Sequence, residues 1–206
     1  MHPLFRALDL LRAPVPHEKQ RLLRARWDSL DVHWRTPGQG FGQQATGCGA
    51  TLGVHPRCDF ACTGCYLGAD ANRVRPIGLD QAFKQLDELR AWLGPKGNVQ
   101  ITDGEVTLLP IEDLVSILQY ARRIGLLPMV MTHGDTFRRR PGFLERLMRE
   151  GGLTEVSIHV DITQRGRLGY KDTANEATLM PLREEFAAMI RSARRQRGLR
   201  SARQRR

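Results

Sequence analysis

The stretch Cys58-Asp-Phe-Ala-Cys62-Thr-Gly-Cys65, with Tyr66 directly after it, puts three thiols within eight residues in a C-x3-C-x2-C spacing. Steps of four and three residues set all three sulfurs on the inside of one tight loop, where they can hold a compact metal centre. Three is the informative number. A structural zinc closes its coordination with four ligands, whereas a cluster that binds its own substrate leaves one position open.

Outward from this loop the chain alternates between two periodicities. Ala50–Val54 reads as a short strand leading into the Cys loop. A helix is predicted over about 79–93, with Leu79, Ala82, Phe83, Leu86, Leu89 and Leu93 at helical spacing and Gly94-Pro95 as its stop. Val99–Thr102 is a strand, Asp103-Gly104-Glu105 a turn, and about 111–124 a second helix. The order recurs with a strand at 129–132, a short helix at 141–148, a strand at 155–160 and a helix at 179–195. Strand starts roughly 26 to 30 residues apart match the size of a βα unit. The fold class is therefore α/β: a partial TIM-like (β/α) barrel of parallel strands, about four βα units, with a short helical N-terminal extension. Such sheets place chemistry at the carboxyl ends of their strands. The Cys loop, Asp103-Gly-Glu105, His133-Gly-Asp135 and the segment after Val160 all fall on that edge.

Composition sets the bounds. The 206 residues suit one domain, and 41% apolar with 26% charged residues is the balance of an ordinary globular protein. No apolar run approaches the roughly 18–20 residues that span a bilayer. Arg6, Asp9 and Arg12 interrupt the first apolar stretch, so no signal peptide is evident. Three of the four Cys crowd together, which fits metal binding in a reduced, cytoplasmic setting better than a disulfide framework. Of the net charge of +10, eight charges come from Arg residues in 191–206, a stretch without acids. The rest is nearly neutral, so neither nucleic acid nor membrane is expected as a partner. Three segments result: 1–49, a helical extension and linker; 50–197, the core; and 198–206, a basic tail.

The Cys loop after the first strand resembles the radical S-adenosylmethionine (radical SAM) superfamily over about residues 50–195. The resemblance implies that Cys58, Cys62 and Cys65 bind three irons of a 4Fe–4S cluster, with SAM on the fourth. Reductive cleavage of SAM then gives a 5′-deoxyadenosyl radical for hydrogen abstraction from an unknown substrate. An electron donor such as flavodoxin or ferredoxin is implied as well. Soft thiolates suit iron–sulfur sites. Val99-Gln-Ile-Thr102-Asp103-Gly104-Glu105 is similar to the superfamily's GGE segment, whose carbonyls and carboxylate hold the ammonium of SAM. Thr102, Asp103, Gly104 and Glu105 are thus SAM-binding candidates. This chain departs from the pattern, with Asp103 for the first Gly and Val106 for a Pro. Gly64 stands where an aromatic residue is common, leaving Tyr66 as either an adenine contact or a core aromatic. Thr132-His133-Gly134 is similar to a Thr-Asn-Gly turn after the third strand. Ser157, His159 and Asp161 share one face of the fourth strand by its period of two, and are candidates for the ribose or methionine part of SAM. No catalytic side chain is assigned.

Two readings from other classes accompany this one. Cys48 is either a buried small residue or, with Cys58, Cys62 and Cys65, a fourth ligand of a zinc-stabilised binding module. The Arg-rich tail offers a nucleic-acid-binding protein. The resemblance also implies about six βα units, so a fifth strand is due near residue 198. The Arg-rich tail stands there instead, and the core reads as truncated at its C-terminus: a fragment, a frameshifted tail, or a half-barrel completed by a partner.

Overall fold

The computed structural model describes residues 25, 28, 29, 31–34, 49–68, 71–153, 155–170 and 175–203, with side chains up to residue 195. Most of the expected N-terminal extension, including Cys48, lies outside the described residues. A 3-10 turn at Val32–Trp34 occupies the start of the expected linker. The described chain builds one parallel sheet in the order β1-β2-β3-β4: β1 Gly49–Gly53, β2 Asn98–Thr102, β3 Leu127–Thr132 and β4 Glu155–Ile158. Gly53 pairs with Thr102 and Thr132 with Ile158, so the strands finish at one edge. This is a partial TIM-like βα fold.

Helices α1 (Leu79–Leu93) and α2 (Ile111–Arg123) return the chain between strands. The expected short helix at 141–148 is two pieces, α3 (Asp135–Arg139) and α4 (Phe143–Arg149). Helix α5 runs over Glu176–Arg203, longer at both ends than expected. Asn175 starts it early by accepting the Thr178 N–H at 3.0 Å. Its last turns carry 198–203 of the expected basic tail, so that tail is helical rather than a disordered appendage.

One face of the sheet is dry. Leu52, Val99, Ile101 and Val130 point into it and meet Leu86, Leu114, Leu118 and Leu147 of the helices. The strand alternation predicts this face directly. At the amino ends of the strands, a cleft of ≈ 340 Å³ is lined by residues including Thr51, Gln100, Met129 and Glu155. A smaller cluster, Val160 with Leu179, Leu182 and Phe186, fastens α5 beneath the segment that follows β4. Arg90 is the exception to the helix pattern. It is buried on α1 and its Nε donates to the Ile124 carbonyl at 2.7 Å, satisfying the end of α2. Among the described residues no helix is long and apolar enough to cross a membrane.

Candidate functional site

The Cys loop is fixed at both ends by backbone bonds. The Cys58 N–H donates to Asn72 Oδ1 at 2.9 Å and the Asn72 amide donates back to the Cys58 carbonyl at 3.1 Å. Further on, Ala61 and Thr63 donate to the carbonyls of Arg165 and Thr163, so the loop lies against the segment after β4. Gly64 has φ +76°, a conformation that side chains strain to adopt, which accounts for glycine where an aromatic was expected. The thiols of Cys58, Cys62 and Cys65 are all free; the first two are half-buried and the third exposed. Burial away from water pushes the Cys58 thiol up to about 12, against a 3.4 Å hydrogen bond from the Phe60 N–H. Burial raises Cys62 too.

The end of β2 brings two carboxylates to the same edge with different surroundings. Glu105 is buried at 1% exposure. Its Oε1 accepts from Thr107 N–H (3.1 Å), Thr107 Oγ1 (2.5 Å) and Thr132 Oγ1 (2.6 Å), and its Oε2 from the His133 N–H (2.8 Å). The carboxylate thereby stitches the end of β2 to the end of β3. Asp103 is half-buried, with φ +88°, and only a long 3.4 Å contact from Tyr66 Oη is recorded to its Oδ1. The turn therefore tolerates a Cβ in the place of the expected first glycine. Gly104 tolerates none. A Cβ there would sit 2.4 Å from the Arg57 carbonyl oxygen and 2.5 Å from that of His55.

A third group joins the Cys loop to the β3 turn. His133 Nδ1 accepts the Asp135 N–H at 3.1 Å, so its proton is on Nε2, which donates to Asp59 Oδ1 at 2.8 Å. Glu105 Oε2 lies 3.2 Å from the same nitrogen. The other Asp59 oxygen takes Arg139 Nη1 at 2.7 Å. The hydrogen bond from His133, followed by the charge of the imidazole and the bond from Arg139, holds the Asp59 carboxyl well below the usual carboxylate range. Arg167 is buried over the Phe60 ring, 5.0 Å from its centroid. It donates to the carbonyls of His133 (2.9 Å) and His159 (3.0 Å) and to Asp135 Oδ1 (3.0 Å), clamping the ends of β3 and β4 together.

The expected residues gather unevenly. Thr102, Asp103, Gly104, Glu105 and Tyr66 meet beside the Cys loop. Tyr66 is not a core aromatic, since it is 76% exposed. Ser157 lies within β4, half-buried, but the strand ends at Ile158, two residues short of the expected 155–160. His159 and Asp161 therefore fall beyond it, where the strand alternation no longer governs them. They pair with each other, and Asp161 also accepts the Thr163 N–H at 2.7 Å. Asp59, Phe60, Arg139 and Arg167 were not legible as site residues. Asp59 and Phe60 had one signal, their place between two cysteines. Arg167 sits in an irregular loop and had none.

The donor set fits an iron–sulfur cluster: three unpaired thiols in one fixed loop, at the edge where a parallel sheet places its chemistry. The surroundings are also incomplete in polar terms. Among the described residues, His55 Nδ1 and Arg167 Nε are buried without a hydrogen-bond partner, and both belong to residues flanking this loop. Cys58, Asp59 and His133 bring a sulfur, an oxygen and a nitrogen within 4.8 Å of one another, but the Asp59–His133 bond already occupies two of these. Compared with known families, the chain matches the model of the Radical SAM superfamily over residues 52–199. No curated protein matches it significantly.

Proposed function

The chain belongs to the radical SAM superfamily, and we propose that it is an enzyme of that kind, cleaving SAM reductively with a 4Fe–4S cluster to abstract hydrogen from a substrate. Cys58, Cys62 and Cys65 would hold the cluster. When bound, it supplies the electron that breaks a C–S bond of SAM and yields the 5′-deoxyadenosyl radical. The chain's own residues do the rest. The Asn72 clasp and the Thr163–Arg165 segment hold the three thiols in one loop. Phe60, packed between His133 and Arg167, keeps water from the inner side of that loop. The strand-end carbonyls of Thr102, Asp103 and Gly104 face the ammonium of SAM. The exposed Tyr66 ring offers a surface for adenine, and Ser157, His159 and Asp161 serve the ribose or methionine part. A reducing, cytoplasmic setting and a flavodoxin- or ferredoxin-like donor complete the reading.

One observation carries it: three free cysteines in a single fixed loop at the carboxyl edge of a parallel sheet. Anaerobic reconstitution with iron and sulfide tests it. The expected product is brown, with broad absorption near roughly 400 nm, and forms 5′-deoxyadenosine from SAM on reduction. A protein that takes up zinc alone and forms no cluster would overturn the proposal.

A further inference from the structure

The two carboxylates at the end of β2 differ in what they have left to offer. A carboxylate presents about four acceptor sites, and the donors of Thr107, Thr132 and His133 use those of Glu105. At 1% exposure it has no open side toward a ligand. Its bonds run inward, between strands, and its work is to hold the β2 and β3 ends together.

Asp103 is the reverse case. Its backbone sits at φ +88°, where an L side chain is strained and glycine is the relaxed choice. Asparagine and aspartate enter that region at less cost than bulkier residues, but still at a cost. Strain of this kind persists where the side chain serves a purpose, and no strong bond inside the protein supplies one. Tyr66 Oη, at 3.4 Å, is the one contact recorded to this carboxylate. Tyr66 directly follows Cys65, so the carboxylate opens beside the last cysteine of the loop.

We infer that the side-chain carboxylate of Asp103, rather than that of Glu105, accepts the α-ammonium of SAM in this chain. The inference rests on the proposed function. A half-buried carboxylate with spare acceptor sites forms a charge-assisted bond to an ammonium. The strand-end carbonyls beside it supply further acceptors. Glu105 then acts as a positioning residue, keeping the turn in the shape that presents Asp103.

The test compares wild type, D103N, D103G and E105Q. SAM binding to the reconstituted proteins is measured by equilibrium dialysis, and thermal stability on the metal-free proteins. D103N keeps the shape and loses the charge, so SAM should bind about tenfold more weakly or worse, the scale of one charge-assisted bond. An analogue of SAM lacking the α-amino group should bind wild type and D103N equally. D103G removes the strained Cβ and should melt a few degrees higher than wild type while also binding SAM weakly. E105Q should melt lower. If wild type binds SAM and D103N and D103G bind it as tightly, the inference is overturned while the proposed function stands. It is equally overturned if E105Q loses SAM binding at unchanged thermal stability. If the cluster-loaded wild type binds no SAM, the proposed function fails and this inference with it.

Discussion

The imidazole of His133 lies flat on the phenyl ring of Phe60, with ring centroids 3.8 Å apart and planes 1° from parallel. One residue comes from the middle of the Cys loop and the other from the turn after β3. The stack and the His133–Asp59 bond beside it therefore tie the metal-ligand loop to the sheet. Replacing His133 with alanine removes both. The expected loss is about 2 kcal/mol, the sum of an aromatic pair and one hydrogen bond to a charged group. A lowered urea midpoint at unchanged m-value, with faster alkylation of Cys58 and Cys62, would show it. Unchanged thiol reactivity would mean that the loop does not depend on His133.

The thiols should differ in reactivity in the metal-free protein. Cys65 is exposed, whereas burial raises the Cys58 thiol to about 12 and keeps it protonated near neutrality. Iodoacetamide at pH 8, followed by peptide mass spectrometry, should label Cys65 first and Cys58 last.

The same burial has a consequence for stability. A thiol whose folded pKa is raised from 9.0 to about 12 retains its proton in the folded state longer than in the unfolded state. Its contribution is complete below about pH 9 and is lost as pH rises toward 12. The metal-free protein should accordingly lose stability on titration above pH 9, and a Cys58→Ser variant should lose less. Equal alkaline losses in both would remove Cys58 as the cause.

Gly104 should be intolerant of any side chain. Its φ of +63° and the 2.4 Å approach of a Cβ to the Arg57 carbonyl oxygen leave a G104A variant strained and in collision with backbone. A destabilisation of about 3 kcal/mol or more is expected, read as a fall in melting temperature. A melting temperature within a degree of wild type would show that the 55–57 segment shifts freely.

Arg167 should be more costly to remove than a surface arginine. It faces Asp135, which is completely buried, and clamps two strand ends through carbonyls. R167M keeps the bulk and leaves Asp135 with Arg138 and Arg139, at 3.5 and 3.7 Å, as its remaining cations. Breaking such a pair costs about 3 kcal/mol, which chemical unfolding would detect.

The sequence by itself determined the repeating order of strand and helix and the loop that carries the thiols. Those features are local. The periods of two and of three to four are written in the positions of Leu86, Val99 or Ile101, and the cysteine spacing is contiguous in the chain. Strand ends were less secure. β4 stops at Ile158 because the chain there turns to lie against the Cys loop, a contact that no alternation foretells. Only the tertiary structure decided how the polar residues at the edge divide their work. Glu105 and Asp103 are two residues apart in a single turn, yet one spends its acceptors on Thr107, Thr132 and His133 while the other stays open. Arg167 likewise acquires its role only where the ends of β3 and β4 come together. A hydrogen-bond partner distant in sequence leaves no periodic trace, so a charge that is buried and satisfied reads like one that is free until the strands are laid side by side.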